Sequence, residues 1–137
     1  MPLILWSCTD APPPQAPEAP TPVLLEGIRR PADGAIHLVR LVQRGDQYAF
    51  EPAEITVGSG DVVRFVLAGP QPESVAFDTA AAVGPPADFI RENTLHLGVL
   101  LLEPGQAFDV SFRDAPPGRY PYFCSRHTSM TGTVVVE

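Results

Sequence analysis

Glycine and proline punctuate this chain at intervals that leave room for little but short strands. Clusters at Gly69-Pro70, Gly84-Pro85-Pro86, Pro104-Gly105 and Pro116-Pro117-Gly118 separate apolar runs of about half a dozen residues. Within those runs the apolar residues recur mostly with a period of two. Ala35–Gln43, Ala53–Val57, Val62–Leu67, Ser74–Asp78 and Ala107–Phe112 read as strands, and Phe108, Val110 and Phe112 share one face. "RYPYF" and "GTVVV" close the chain as two more. The "GSGD" stretch between Val57 and Val62 reads as a hairpin turn, with Asp61 as a turn residue. Only "PADFIRENT", Pro86–Thr94, suggests a helix. Many short strands at this spacing argue for an all-β antiparallel β-sandwich.

Two regions divide the sequence. Residues 1–22 are an apolar leader and a Pro-rich spacer; residues 23–137 form the folded domain. "MPLILWSC" ends in Ser7-Cys8 after an apolar run, which resembles a bacterial lipobox with Cys8 as the lipidated residue. "TDAPPPQAPEAPTP" can form neither helix nor ladder and reads as an extended tether. At about 3.1 Å per residue it would reach roughly 40 Å. Lipid on Cys8, a spacer and a domain would place the protein on the periplasmic, extracytoplasmic face of a bacterial membrane. The 137 residues carry a net charge of −7, with nine arginines and no lysine. That balance argues against nucleic acid as a partner. Two cysteines do not make a disulfide framework, and no apolar run is long enough for a membrane-spanning helix.

Chemistry concentrates at the C-terminal end. In "YFCSRHTSM", Cys124, His127 and Met130 fall within seven residues, between two strand-like runs. A thiolate, an imidazole and a thioether suit copper cycling between two oxidation states. A short loop whose ends are fixed by a sheet makes them converge. No nucleophile–base–acid set, paired carboxylates with a cleft, or closed zinc spacing accompanies them, so an enzyme is not expected.

Three segments together resemble the cupredoxins, the small blue copper proteins of plastocyanin and amicyanin type. "FEPAEITVGSGDVVRFV" resembles the F-x-P-x-x-I-x-V…G-D-x-V-x-F hairpin. "PESVAFD" resembles P-H-N-V-x-F-D. "PGRYPYFCSRHTSMTGTVVVE" resembles P-G-x-Y-x-Y-x-C-x-x-H-x-x-M-x-G-x-V-x-V-E, with the short amicyanin-like gap between His and Met. The resemblance covers about residues 48–137. It implies a Greek-key sandwich and a copper site at Cys124, His127 and Met130.

The family's remaining strong ligand is the His of P-H-N, and here Glu73 stands in its place. Three readings of that departure are open. Glu73 binds copper through oxygen, favouring Cu(II) and a low potential. His96 substitutes for the missing ligand. Or the site is vestigial, with Cys124 and Met130 reduced to packing. His37 reads as an ordinary half-buried strand residue, Arg126 as a loop cation, and Tyr120, Tyr122 and Phe123 as core and edge. The reading adopted is a tethered, non-catalytic accessory subunit with a degenerate copper site, docked on a membrane redox complex. The alternative is a mononuclear copper electron carrier using Cys124, His127, Met130 and Glu73 toward a redox partner protein.

Overall fold

A computed structural model describes Pro22–Val23 and residues 34–137. Cys8, the leader and the tether up to residue 21 lie outside the described residues; Pro22, given to the tether from the sequence, is instead the first residue of β1. The elements in chain order are β1 (Pro22–Val23), β2 (Ile36–Arg44), β3 (Gln47–Glu51), β4 (Glu54–Val57), β5 (Val62–Leu67), β6 (Glu73–Phe77), α1 (Pro85–Glu92), a 3-10 turn (Leu95–Leu97), β7 (Val99–Leu101), β8 (Ala107–Ser111), β9 (Gly118–Phe123) and β10 (Thr131–Val136). They build two five-stranded sheets, ordered β1-β8-β5-β2-β3 and β4-β10-β9-β6-β7.

The all-β sandwich expected from the sequence is present, but its sheets are mixed. Antiparallel pairing joins β2 to β3, β5 to β8, β6 to β7 and β9, and β9 to β10. The pairs β1–β8, β2–β5 and β4–β10 run parallel. The "GSGD" turn is not a hairpin. It carries the chain from β4, paired with β10, across to β5 in the other sheet. A strand pattern records which side chains are buried; it does not record which neighbour a strand pairs with. Asp61 is a turn residue all the same. Its carboxylate accepts from the backbone N–H groups of Gly58 (2.9 Å) and Ala35 (3.0 Å) and from His37 Nε2 (2.8 Å).

The inner faces of the two sheets meet in an aromatic core. Val39, Leu41, Phe50, Phe65, Phe77, Phe108, Val110, Phe112, Tyr120, Tyr122 and Val134 are all buried. Tyr122 receives Phe50 and Phe65 edge-on, with centroids at 4.8 and 5.0 Å. Such pairs contribute about 0.5–1.5 kcal/mol each beyond the burial of apolar area. Gly132 lies opposite Tyr122 in the ladder, and its missing side chain is what admits that ring. Helix α1 starts on Pro85 after Gly84 and covers one end of the core with Ala87, Phe89 and Ile90. Phe89 stacks on Phe112 and meets Tyr120 edge-on.

Candidate metal centre

Adjacent strands fix both ends of the C-terminal loop. Phe123 and Thr131 are partners in the β9–β10 ladder, so residues 124–130 turn back between neighbours. Cys124 N–H donates to the Met130 carbonyl (3.0 Å), and Met130 N–H donates to the His127 carbonyl (2.9 Å). These two bonds keep Cys124 and Met130 at the loop's base and lift His127 to its tip.

Glu73 arrives from the other flank of β9. Strand β6 pairs with it antiparallel through Ala76↔Phe123 and Phe77↔Tyr122, so the first residues of β6 run out alongside the loop. All five β6 residues are buried, Glu73 included at 3 % exposure. Its Oε2 accepts from the Cys124 thiol at 3.0 Å and from His127 Nδ1–H at 2.8 Å. Ser74 ties the two segments together. Ser125 N–H donates to Ser74 Oγ at 2.8 Å, and the two hydroxyls are 2.8 Å apart. Ser74 N–H (3.4 Å) and Oγ–H (3.6 Å) both point at Cys124 Sγ.

Burying a carboxylate without charged or polar partners is strongly disfavoured. Glu73 is buried beside a thiol and an imidazole, the partners a metal would also recruit. One ligand atom each from Glu73, Cys124 and His127 lies within 4.8 Å of the others. Oxygen, nitrogen and sulfur bonds of about 2.0–2.3 Å to a transition metal fit inside that span. Cys124 is a free, fully buried thiol, and Met130 is buried in the same loop. Glu73, Cys124 and His127 therefore offer one oxygen, one sulfur and one nitrogen donor, a set that could hold a mononuclear metal ion.

The sequence-derived residues divide cleanly. Glu73, Cys124 and His127 come together; His96 does not join them. It is exposed on the 3-10 turn, across a surface depression of about 490 Å³ that Ser74, Ser125 and Arg126 also line. Arg126 is exposed at the rim. His37 is committed to Asp61. Tyr120 is core: its hydroxyl donates to the Pro116 carbonyl at 2.6 Å, and burial pushes its pKa up to about 12. Burial also raises Tyr122, whose hydroxyl finds no hydrogen-bond partner. Two residues escaped the sequence reading. Tyr48, in β3, stacks flat on His127, with centroids 3.6 Å apart and planes at 9°. Ser74 stands where the resembled motif has Asn, which was its only signal.

Known proteins share this fold. Residues 37–137 match the family described as copper binding proteins of plastocyanin/azurin type. A plastocyanin of Synechococcus sp. (strain JA-2-3B'a(2-13)) is 30 % identical over 112 residues, covering 80 % of this chain and 79 % of that protein. The oxidized plastocyanin of Dryopteris crassirhizoma superposes with a TM-score of 0.56 at 30 % identity, covering 73 % of this chain and 99 % of that one. A reduced amicyanin mutant superposes with a TM-score of 0.54 at 28 % identity, covering 77 % and 85 %.

Proposed function

The chain belongs to the plastocyanin/azurin family of copper binding proteins, and from that premise we propose that it is a mononuclear copper protein that passes single electrons to a redox partner protein. Glu73, Cys124, His127 and Met130 would hold the ion. Copper would supply the one-electron chemistry; the rest is scaffold. The observation that carries this reading is the convergence of Glu73, on β6, with Cys124 and His127, on the β9–β10 loop, within 4.8 Å. The β-ladder fixes Cys124 and Met130, Ser74 clamps β6 to the loop, and Tyr48 restrains the His127 ring. A rigid cage of this kind keeps the ligands in one arrangement through a change of charge. His127, with its side chain 25 % exposed, is the ligand that reaches the surface.

The test is a Cu(II) titration of the full chain followed by visible absorption. One copper per chain with an intense thiolate-to-copper band, abolished in Cys124→Ser, is the expected result. No band from a folded chain would refute the reading.

A second reading is favoured by the hydrogen bonds through which Glu73, Cys124 and His127 satisfy one another. They make a self-contained cluster, so a degenerate site could serve as scaffold in a non-catalytic accessory subunit on a respiratory or photosynthetic membrane complex. In both readings residues 1–22 form a leader and tether that hold the domain at the extracytoplasmic face of a bacterial membrane through lipid on Cys8. Among the described residues no helix is long and apolar enough to cross a membrane. Cys8→Ser should move the protein from the membrane fraction to the soluble one; unchanged partitioning would remove the anchor from the proposal.

A further inference from the structure

We propose that this site selects its ion by charge: it holds divalent cations, Zn(II) as well as Cu(II), and disfavours monovalent Cu(I). The inference rests on the reading of Glu73, Cys124 and His127 as a metal centre and deepens it.

Metal ligands bind deprotonated. Glu73 and Cys124 then bring two negative charges, and His127 and Met130 bring none. A divalent ion makes the cluster neutral. A monovalent ion leaves one negative charge among residues that are almost fully buried: Glu73 at 3 %, Cys124 at 0 % and Met130 at 1 % exposure. An uncompensated charge in such surroundings is strongly disfavoured.

Among the described residues, the ion-pair partner of Glu73 is His127 and no arginine. Ser74 directs an N–H and an O–H at Cys124 Sγ, which are dipoles and not charges. Arg44, Arg64, Arg91 and Arg119 are engaged elsewhere, with Glu51, Asp109, Asp88 and Glu54. Arg126, the cation closest in sequence, is exposed to solvent. An imidazole at position 73 would shift the count by one: neutral with a monovalent ion, positive with a divalent one. Donor softness points the same way. Carboxylate oxygen beside imidazole nitrogen and thiolate sulfur is within zinc's range, whereas Cu(I) prefers sulfur. One residue thus moves the electroneutral state of the site from the reduced to the oxidised form of copper, and makes the site neutral with a redox-inert divalent ion as well.

The experiment uses the full chain, freed of metal. Zn(II) and, anaerobically, Cu(I) are each titrated in competition with a chromophoric chelator, for the native protein and for Glu73→Gln and Glu73→His. Co(II) absorption reports whether Cys124 is a ligand, and circular dichroism reports folding. The native chain should bind one Zn(II), with a Co(II)–thiolate band. Glu73→Gln should weaken Zn(II) by about 100-fold or more while Cu(I) affinity holds or rises. Glu73→His should move the Zn(II)/Cu(I) preference in the same direction, and it serves alone if the Gln variant does not fold. Cu(I) affinity that falls by the same factor as Zn(II) in these variants would overturn charge selection while leaving the metal centre intact. A folded native chain that binds none of these ions would instead sink the metal-centre reading itself.

Discussion

Among the described residues two carboxylate–imidazole pairs have identical length, and they are built for different purposes. His37 Nε2 donates to Asp61, and His127 Nδ1 donates to Glu73, each at 2.8 Å. The two imidazoles are about equally exposed, at 27 % and 25 %; the carboxylates are not, at 18 % for Asp61 and 3 % for Glu73. Asp61 spends its remaining capacity on backbone N–H groups of Gly58 and Ala35, so it fastens a turn to the start of β2. Glu73 shares one oxygen between a thiol and an imidazole. A carboxylate bound by backbone amides is a fastening. A buried carboxylate bound by side chains that are themselves metal donors is a candidate ligand.

The largest effect should come from removing the shared thiol. Cys124→Ser is expected to lower metal affinity by at least about 100-fold, since even partners one step removed from a metal carry 10- to 100-fold. Asp61→Asn should leave it within about twofold, inside the spread expected for changes at an independent site. Chelator competition on both variants checks this. If Asp61→Asn weakens metal binding as much as Cys124→Ser does, the two pairs are not functionally distinct.

Stability should respond in the reverse order. Asp61→Ala strands two backbone donors and His37, at a cost of about 1–3 kcal/mol, measured by urea denaturation at neutral pH. The Asp61 carboxyl is held below the ordinary carboxylate range, first by the His37 hydrogen bond and then by the Gly58 N–H. A folded-state pKa depressed in this way contributes stability that is fully present above the unfolded value of about 3.9 and is lost as pH falls toward and through the folded one. The native chain should therefore lose stability on acidification below about pH 4, and Asp61→Asn should flatten that part of the profile. An unchanged acid limb would show that the turn does not depend on the charged form.

Much of this was legible in the residues, and the gaps have physical causes. The alternation of Phe108, Val110 and Phe112 announces a buried face, and all three are buried. Cys124, His127 and Met130 sit on one short loop, so their proximity follows from their spacing. Glu73 is 51 residues from Cys124, and only the resemblance of its segment to a known pattern tied it to the site. Sheet membership was not legible, because "GSGD" permits a reversal within a sheet or a crossing between sheets; pairing of β4 with β10 decides it. Tyr48 was invisible for a related reason. Its place on β3 looks like ordinary alternation, and nothing local says that the ring opposite will be His127.

Tyr48 also offers the smallest and most discriminating change at the site. It touches His127 and donates nothing to it, so its contribution is orientation. Stacked aromatic pairs are worth about 0.5–1.5 kcal/mol, and most of that should appear as freedom of the imidazole once the tyrosine ring is gone. Tyr48→Ala is therefore expected to weaken metal binding by a few-fold, up to about tenfold, through faster dissociation. Tyr48→Phe should restore the native rate, because it keeps the ring and removes only the hydroxyl. Nuclear magnetic resonance of the His127 ring protons would separate this from a loss of folding: they should broaden or shift in Tyr48→Ala while the signals of His37, held by Asp61 and not by stacking, stay put. If both histidines changed together, Tyr48 would be acting on the sandwich as a whole. If neither changed, the Glu73 hydrogen bond alone would fix the imidazole, and the buried pair would be as self-sufficient as the half-buried one.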